Sequence, residues 1–306
     1  MSQSSQSKSP SPRYHQVAIV GVGLIGGSIG LALRQRRLAE EVVGIGRRQS
    51  SLNKALACGA VDRTTTELKV GVAEAQMVVV AVPVSLVSRL VREVAEICPE
   101  DGLITDVGSI KGPICQDLAA LGSFIGSHPL AGDHRSGPEN ARGDLFSGKV
   151  VVVTPCPGGQ EATEELSERG RGDRRSASQG RSDIKHQVSK FWESLGASVV
   201  HLDPEEHDRA LAATSHLPHW VASALAGATP PQWLPLVATG WRDTTRIAAA
   251  DPELWSQIFT ENKAGLLESL ARLLDRLAQM HQALEAGKPL PPLLTEAKRI
   301  RDAVGD

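Results

Sequence analysis

The sequence predicts an α/β fold built on a doubly wound parallel sheet and followed by an all-α region, and three observations carry that prediction. From His15 to Thr154, short β-branched runs alternate with helix-like stretches; this pattern marks parallel βαβ units whose sheet is covered by helices on both faces. The first run passes directly into a glycine-rich turn. Beyond Asp203 the β signal stops, and apolar residues recur at helical spacing instead.

Taken in order, residues 1–13 are rich in Ser, Pro and Gln and predict a disordered tail. The strand runs are QVAIV (16–20), EVVGI (41–45), MVVVAV (77–82), GLITD (102–106), SFIG (123–126) and VVVVT (150–154). Residues 157–187 are charged and rich in Gly, Ser and Arg, which predicts a flexible, solvated insertion. SKFWESLGA and SVVHLD (198–203) then predict one more helix and strand. Pro204, suited to a first helical turn, opens a helical stretch through SHLPHWVASALAG. Asp251 as cap and Pro252 at the first position open a single long helix running to Gly287. Its apolar stripe must be buried, and a helix of that length in a small region suits packing against a partner subunit.

Composition bounds the rest. With 306 residues, at about 150 per domain, two domains or one large one are expected. Hydrophobic residues at 41% suffice for a core. The 33 Lys and Arg nearly balance the 35 Asp and Glu, which argues against a nucleic-acid partner. No apolar run is long enough for a membrane span, and the N-terminus lacks the apolar stretch of a signal peptide. Four cysteines without a C-x-x-C pair fit reduced thiols in a cytoplasmic protein.

The turn after the first strand reads Gly21-Val22-Gly23-Leu24-Ile25-Gly26-Gly27 and leads into a helix. G-x-G-x-x-G in this strand–turn–helix setting is the dinucleotide fingerprint of a Rossmann-type domain, here residues 14–203. Gly21 permits the tight turn, Gly23 lets backbone approach a pyrophosphate, and Gly26 lets helix pack on strand. The helix N-terminus adds N–H groups and the positive dipole end. At the end of the second strand Gly46 stands where an NAD site carries an acid, and Arg47 and Arg48 follow. A guanidinium fork holds a 2′-phosphate, so NADP is the favoured cofactor, with NAD possible if both arginines are merely solvated.

Ligands of doubly wound sheets bind outside the carboxyl ends of the strands. Those ends deliver Val82-Pro83, then Asp106-Val107-Gly108-Ser109-Ile110-Lys111, then Ser127-His128-Pro129. Histidine titrates near working pH and suits taking a proton from an alcohol being oxidised. Taken alone, His128 reads equally well as a satisfied structural histidine, and Lys111 as a local cap or ion-pair partner. His216 and His219 stand at i and i+3, but no third metal ligand accompanies them.

GVGLIGGSIG, DVGSIK, SHPLAG, SHLPH and GWRDTTRIAAADPELW, in this order over about residues 15–285, resemble the prephenate/arogenate dehydrogenase family of tyrosine biosynthesis. The resemblance implies a nucleotide-binding domain followed by a helical substrate and dimerisation domain (204–306), a homodimer, and oxidative decarboxylation of a cyclohexadienol. It implies that His128 takes the proton of the ring hydroxyl and that Ser109 bonds the same hydroxyl. Arg246 would hold the ring carboxylate, and His219 and Trp255 would line the pocket, Trp255 having a plain core role as its other reading.

One departure stands out: Asp133-His134 follows H-P-L-A-G, where several relatives carry Thr-Glu. An acid there would favour the ammonium of arogenate over the keto group of prephenate, unless Asp133 only caps a turn. No stretch is left over for a further catalytic or regulatory domain, which predicts a monofunctional enzyme. Two other readings stay open. One is a β-hydroxyacid dehydrogenase, disfavoured because the helix through SHLPH has no lysine. The other is a non-catalytic NADP-sensing protein, disfavoured by Ser109, His128 and Arg246 standing together.

Overall fold

The computed structural model describes residues 13–132, 135–156 and 174–305. The tail up to residue 12, Asp133 and His134, and residues 157–173 of the expected insertion lie outside them. By packing, the chain divides into two units. One comprises the chain up to Asp208 together with Ala250–Glu261, the other Arg209–Ala249 together with Asn262–Asp306.

In the first unit the order is β1 Tyr14–Val20, α1 Leu24–Gln35, β2 Ala39–Ile45, α2 Gln49–Ala57, β3 Arg63–Thr65, α3 Leu68–Val72, β4 Met77–Val80 and α4 Val84–Ala95. Then come β5 Leu103–Asp106, α5 Gly112–Asp117, β6 Phe124–Pro129, β7 Val150–Thr154, α6 Arg174–Ser194, β8 Ser198–His201 and α7 Pro204–Leu211. The strands form one sheet in the order β3-β2-β1-β4-β5-β6-β7-β8. β1 is central and apolar throughout its second half, as a strand covered on both faces must be. Val17 and Ile19 enter one core with Ile29, Leu33 and Leu52. Ala18 and Val20 enter the other with Val87, Val91 and Ile104. That alternation is the two-residue period of a strand, and it makes the sheet doubly wound, with α1, α2 and α6 on one face and α3, α4 and α5 on the other.

Four expectations are corrected. The strands are parallel from β3 to β6, but β7 runs antiparallel to β6. A parallel return needs a crossover, usually a helix, and among the described residues between Pro129 and Val150 the helical structure is one turn, Pro138–Asn140. β3 was hidden by its length of three residues. The expected loop over 157–187 is helical from Arg174 onward, as the start of α6. Val188, Phe191 and Trp192 form its buried stripe, with Ile184 and the following Leu195 packed beside them. The helix from Pro252 does not reach Gly287 unbroken. It ends at Glu261 (α10, Pro252–Glu261), Asn262 leaves helical geometry at φ −105° and ψ 35°, and a new helix starts at Lys263.

By packing, the first unit runs on past residue 203 to Asp208, because His207 and Asp208 hydrogen-bond into it. α10 likewise belongs to that unit and packs on α4. The second unit holds a π-helical turn Ala212–His216, α8 Leu217–Ala228, α9 Thr239–Thr245, the turn Arg246–Ala249, α11 Lys263–Glu285 and α12 Pro291–Asp302. Among its described residues there is no strand.

Candidate active site

β1, β2, β4, β5 and β6 are parallel, so their carboxyl ends share one edge of the sheet. A cleft of about 650 Å³ opens there, lined by Gly21, Gly23, Arg47, Arg48, Val82 and Pro83, with Ser51 and Lys54 on the α2 side. Gly21 has φ +100°, and a Cβ there would lie 2.2 Å from the Ala81 carbonyl oxygen. Gly26 is buried in α1, where a Cβ would lie 2.1 Å from the Gly21 carbonyl oxygen. Gly23 is different: a Cβ would meet nothing within 4 Å. Leu24 and Ile25 form the first turn of α1, which has no capping side chain and no acidic residue. The open space at Gly23 and the uncapped N–H groups suit a pyrophosphate. Arg47 and Arg48 are exposed and form no ion pair among the described residues, whereas Lys54 pairs with Glu139 at 2.8 Å.

The next strand ends are held by a buried polar knot. Asp106, at the end of β5, accepts from the Ser127 N–H at 3.0 Å and the Gly108 N–H at 2.8 Å, and it is ion-paired with Lys111. Both charged side chains are fully buried. Lys111 is therefore a structural partner, in line with its local reading. Ser127 Oγ donates to the Asp106 carbonyl at 2.6 Å and accepts from Trp192 Nε1 at 3.0 Å. A buried, multiply bonded carboxylate of this kind fixes backbone. It sets the Val107–Ser109 turn and the register of β6, so half-buried Ser109 and half-buried His128 stand at the ends of neighbouring strands.

His128 is not a lone histidine. Its Nδ1 lies 2.9 Å from Nε2 of His207, which is fully buried. His207 Nδ1 lies 2.7 Å from Asp208 Oδ1. Asp208 in turn accepts the backbone N–H groups of Lys111 and Gly112, each at 2.8 Å, and so caps the start of α5. Sequence reading missed both residues. The only signal was a His-Asp pair inside a predicted helix, 79 positions from His128.

The remaining expected site residues lie on other elements. His219 is buried on α8, and burial holds its ring below the ordinary histidine range. Arg246 is exposed at the start of the turn that packs on α8. Trp255 belongs to the first unit; it is half-buried on α10, with its ring 5.5 Å from Phe259. Asp133 lies outside the described residues. His216 is buried and bonded to Asn262 at 3.1 Å. Among the described residues no group of three His, Cys, Asp or Glu is placed to hold a metal, and no helix is long and apolar enough to cross a membrane.

Residues 29–168 match the family model for the nucleotide-binding domain of prephenate dehydrogenase, and residues 203–291 match that for its dimerization domain. A prephenate dehydrogenase of Bacillus subtilis (strain 168) is 33% identical over 82% of this chain, which spans 65% of that relative's length. The crystal structure of prephenate dehydrogenase from Aquifex aeolicus, in complex with hydroxyphenyl propionate and NAD+, is 30% identical with a TM-score of 0.79. It covers 95% of this chain, and 98% of its own length is matched. The crystal structure of Synechocystis arogenate dehydrogenase is 28% identical with a TM-score of 0.75, the match covering 94% of this chain and 99% of that one.

Proposed function

The chain belongs to the prephenate dehydrogenase family, and from that premise we propose that it oxidatively decarboxylates prephenate to 4-hydroxyphenylpyruvate, arogenate to tyrosine, or both. The step belongs to tyrosine biosynthesis, and the enzyme works in the cytoplasm. The observation that carries the reading is the position of His128, at the end of β6 on the same sheet edge as the glycine-lined cleft.

A nicotinamide cofactor, when bound, accepts the hydride that leaves the ring carbinol carbon. His128 takes the hydroxyl proton as the carbon–oxygen bond gains double-bond character. Carbon dioxide then leaves the ring carbon opposite, and its bonding pair aromatises the ring. His128 returns its proton to the same oxygen, so no net proton is released. Ser109 donates to that oxygen. Arg246 binds the ring carboxylate through its guanidinium, and His219 and Trp255 are further substrate-binding residues. Asp133 attracts the side-chain ammonium of arogenate.

NADP is the preferred form of the cofactor. Supporting this are Gly46 in place of a carboxylate and two exposed arginines, Arg47 and Arg48, lining the cleft with Ser51 and Lys54. The enzyme works as a homodimer through the helical unit, where Leu267, Leu274, Leu277 and Leu284 of α11 are exposed. Their spacing of seven and three puts them on one face of the helix.

The test is a two-by-two assay of prephenate or arogenate with NAD+ or NADP+. Turnover of at least one substrate, faster with NADP+, is expected, and replacing Arg47 and Arg48 by Ala should remove the NADP+ preference. Equal or better rates with NAD+ would overturn the cofactor assignment, and no turnover of either substrate would overturn the reaction.

A further inference from the structure

We propose that His207 and Asp208 are positioning residues that set the tautomer of His128 and stabilise its protonated form, so that the proton acceptor is a three-residue relay rather than a single histidine. This rests on the reading of His128 as the group that takes the hydroxyl proton.

The direction of the relay follows from Asp208. Its Oδ1 accepts the Lys111 N–H and its Oδ2 the Gly112 N–H, each at 2.8 Å. Both carboxylate oxygens are therefore acceptors in these bonds, and a carboxylate has no proton to donate. His207 Nδ1, 2.7 Å from Oδ1, must therefore carry a proton and donate it. In the neutral ring His207 Nε2 is then the acceptor, and His128 Nδ1, 2.9 Å away, must be the N–H that donates to it. His128 is left with its lone pair on Nε2, the nitrogen pointing away from the relay. Neither ring can choose its tautomer independently, because a protein carboxylate held by backbone fixes the far end.

The geometry also stabilises the imidazolium. When His128 gains a proton, its Nδ1–H bond to His207 becomes charge-assisted, and the Asp208 carboxylate lies one ring further along. His207 is fully buried and Asp208 nearly so, which keeps water from competing for these bonds. Lys111, whose backbone N–H bonds Asp208, has its ammonium ion-paired with the Asp106 carboxylate. The chain of contacts also ties the substrate-side histidine to the start of α5 and the middle of α7, two elements whose sequence separation is 97 residues at Lys111 and Asp208.

The test compares His207→Phe, which keeps an apolar ring but removes the acceptor, with His207→Gln, whose side-chain oxygen can replace Nε2. In His207→Phe, kcat should fall about 10- to 100-fold, the scale on which losing an orienting partner acts, with KM nearly unchanged. The acid limb of the kcat profile should move to lower pH by about one unit, because the protonated ring has lost its acceptor. His207→Gln should recover part of both. Independently of turnover, an NMR titration of the His128 ring in the full chain should show the same downward shift in His207→Phe and its partial return in His207→Gln. A His128 titration unchanged in both variants would overturn the relay even if the enzyme is fully active. If the shift is seen and neither substrate is turned over, the relay stands and the reaction assignment fails. Should His207→Phe not fold, a His207→Gln titration and pH profile identical to wild type, with loss of kcat, would count against the relay.

Discussion

Two glycines of one turn carry different physical duties, and that difference is measurable. Gly26 cannot hold a Cβ, since it would sit 2.1 Å from a backbone carbonyl oxygen, whereas Gly23 has open space around it. Gly26→Ala should therefore lower stability by about 1–3 kcal/mol, the usual cost of overpacking. Gly23→Ala should denature like the wild type yet bind the nicotinamide cofactor at least about tenfold more weakly, because the added methyl fills the pyrophosphate's approach. Denaturant melts and cofactor titrations of both variants separate the two duties. At His128 the expected outcome is chemical: His128→Asn should lose about two orders of magnitude or more in kcat with unchanged cofactor affinity, measured by steady-state kinetics and titration. The placement of His128, Ser109 and the glycines at strand ends was legible, because each lies at or within a few residues of the end of an apolar strand run. His207, Asp208 and the Asp106–Lys111 pair were not, because their roles depend on which distant strand and helix ends the topology brings together.

At the scale of elements, periodicity succeeded where a segment has one environment and failed where environments change within it. β1, β2, β4, β5 and β7 were readable as β-branched runs. α6 was readable only over its last turns, SKFWES, because its apolar stripe begins only at Ile184, after a charged, serine-rich stretch. That stripe has energetic weight. Trp192 is fully buried, meets Phe146 edge-on at 5.5 Å and donates to Ser127. Trp192→Ala should cost about 3–5 kcal/mol in equilibrium unfolding; a near-neutral result would fit a solvated loop instead. The lone tyrosine acquires a local explanation here as well, since Tyr14 packs edge-on against Phe191 of α6 at 6.0 Å and is nearly buried. The antiparallel β7 and the break at Asn262 were beyond local reading. Strand direction is set by the connection, and Asn262 is drawn from helical geometry where its side chain bonds buried His216.

For the whole molecule, the division into an α/β unit and a helical unit was legible from the disappearance of β-branched runs after Asp203. That His207 and Asp208 bond back to the first unit was not, since it depends on contacts distant in sequence. The exposed leucine face of α11 bears on assembly: Leu274→Glu with Leu277→Glu should convert a sedimenting dimer into a monomer, and an unchanged sedimentation coefficient would move the interface elsewhere. We expect one site to couple oxidation of a cyclohexadienol to loss of its ring carboxylate. The decisive experiment measures carbon dioxide released against nicotinamide reduced, with prephenate and with arogenate as substrates. Equal amounts of the two products are expected with at least one substrate. Reduction without release of carbon dioxide, or neither with both substrates, would show that the site does not couple the two events.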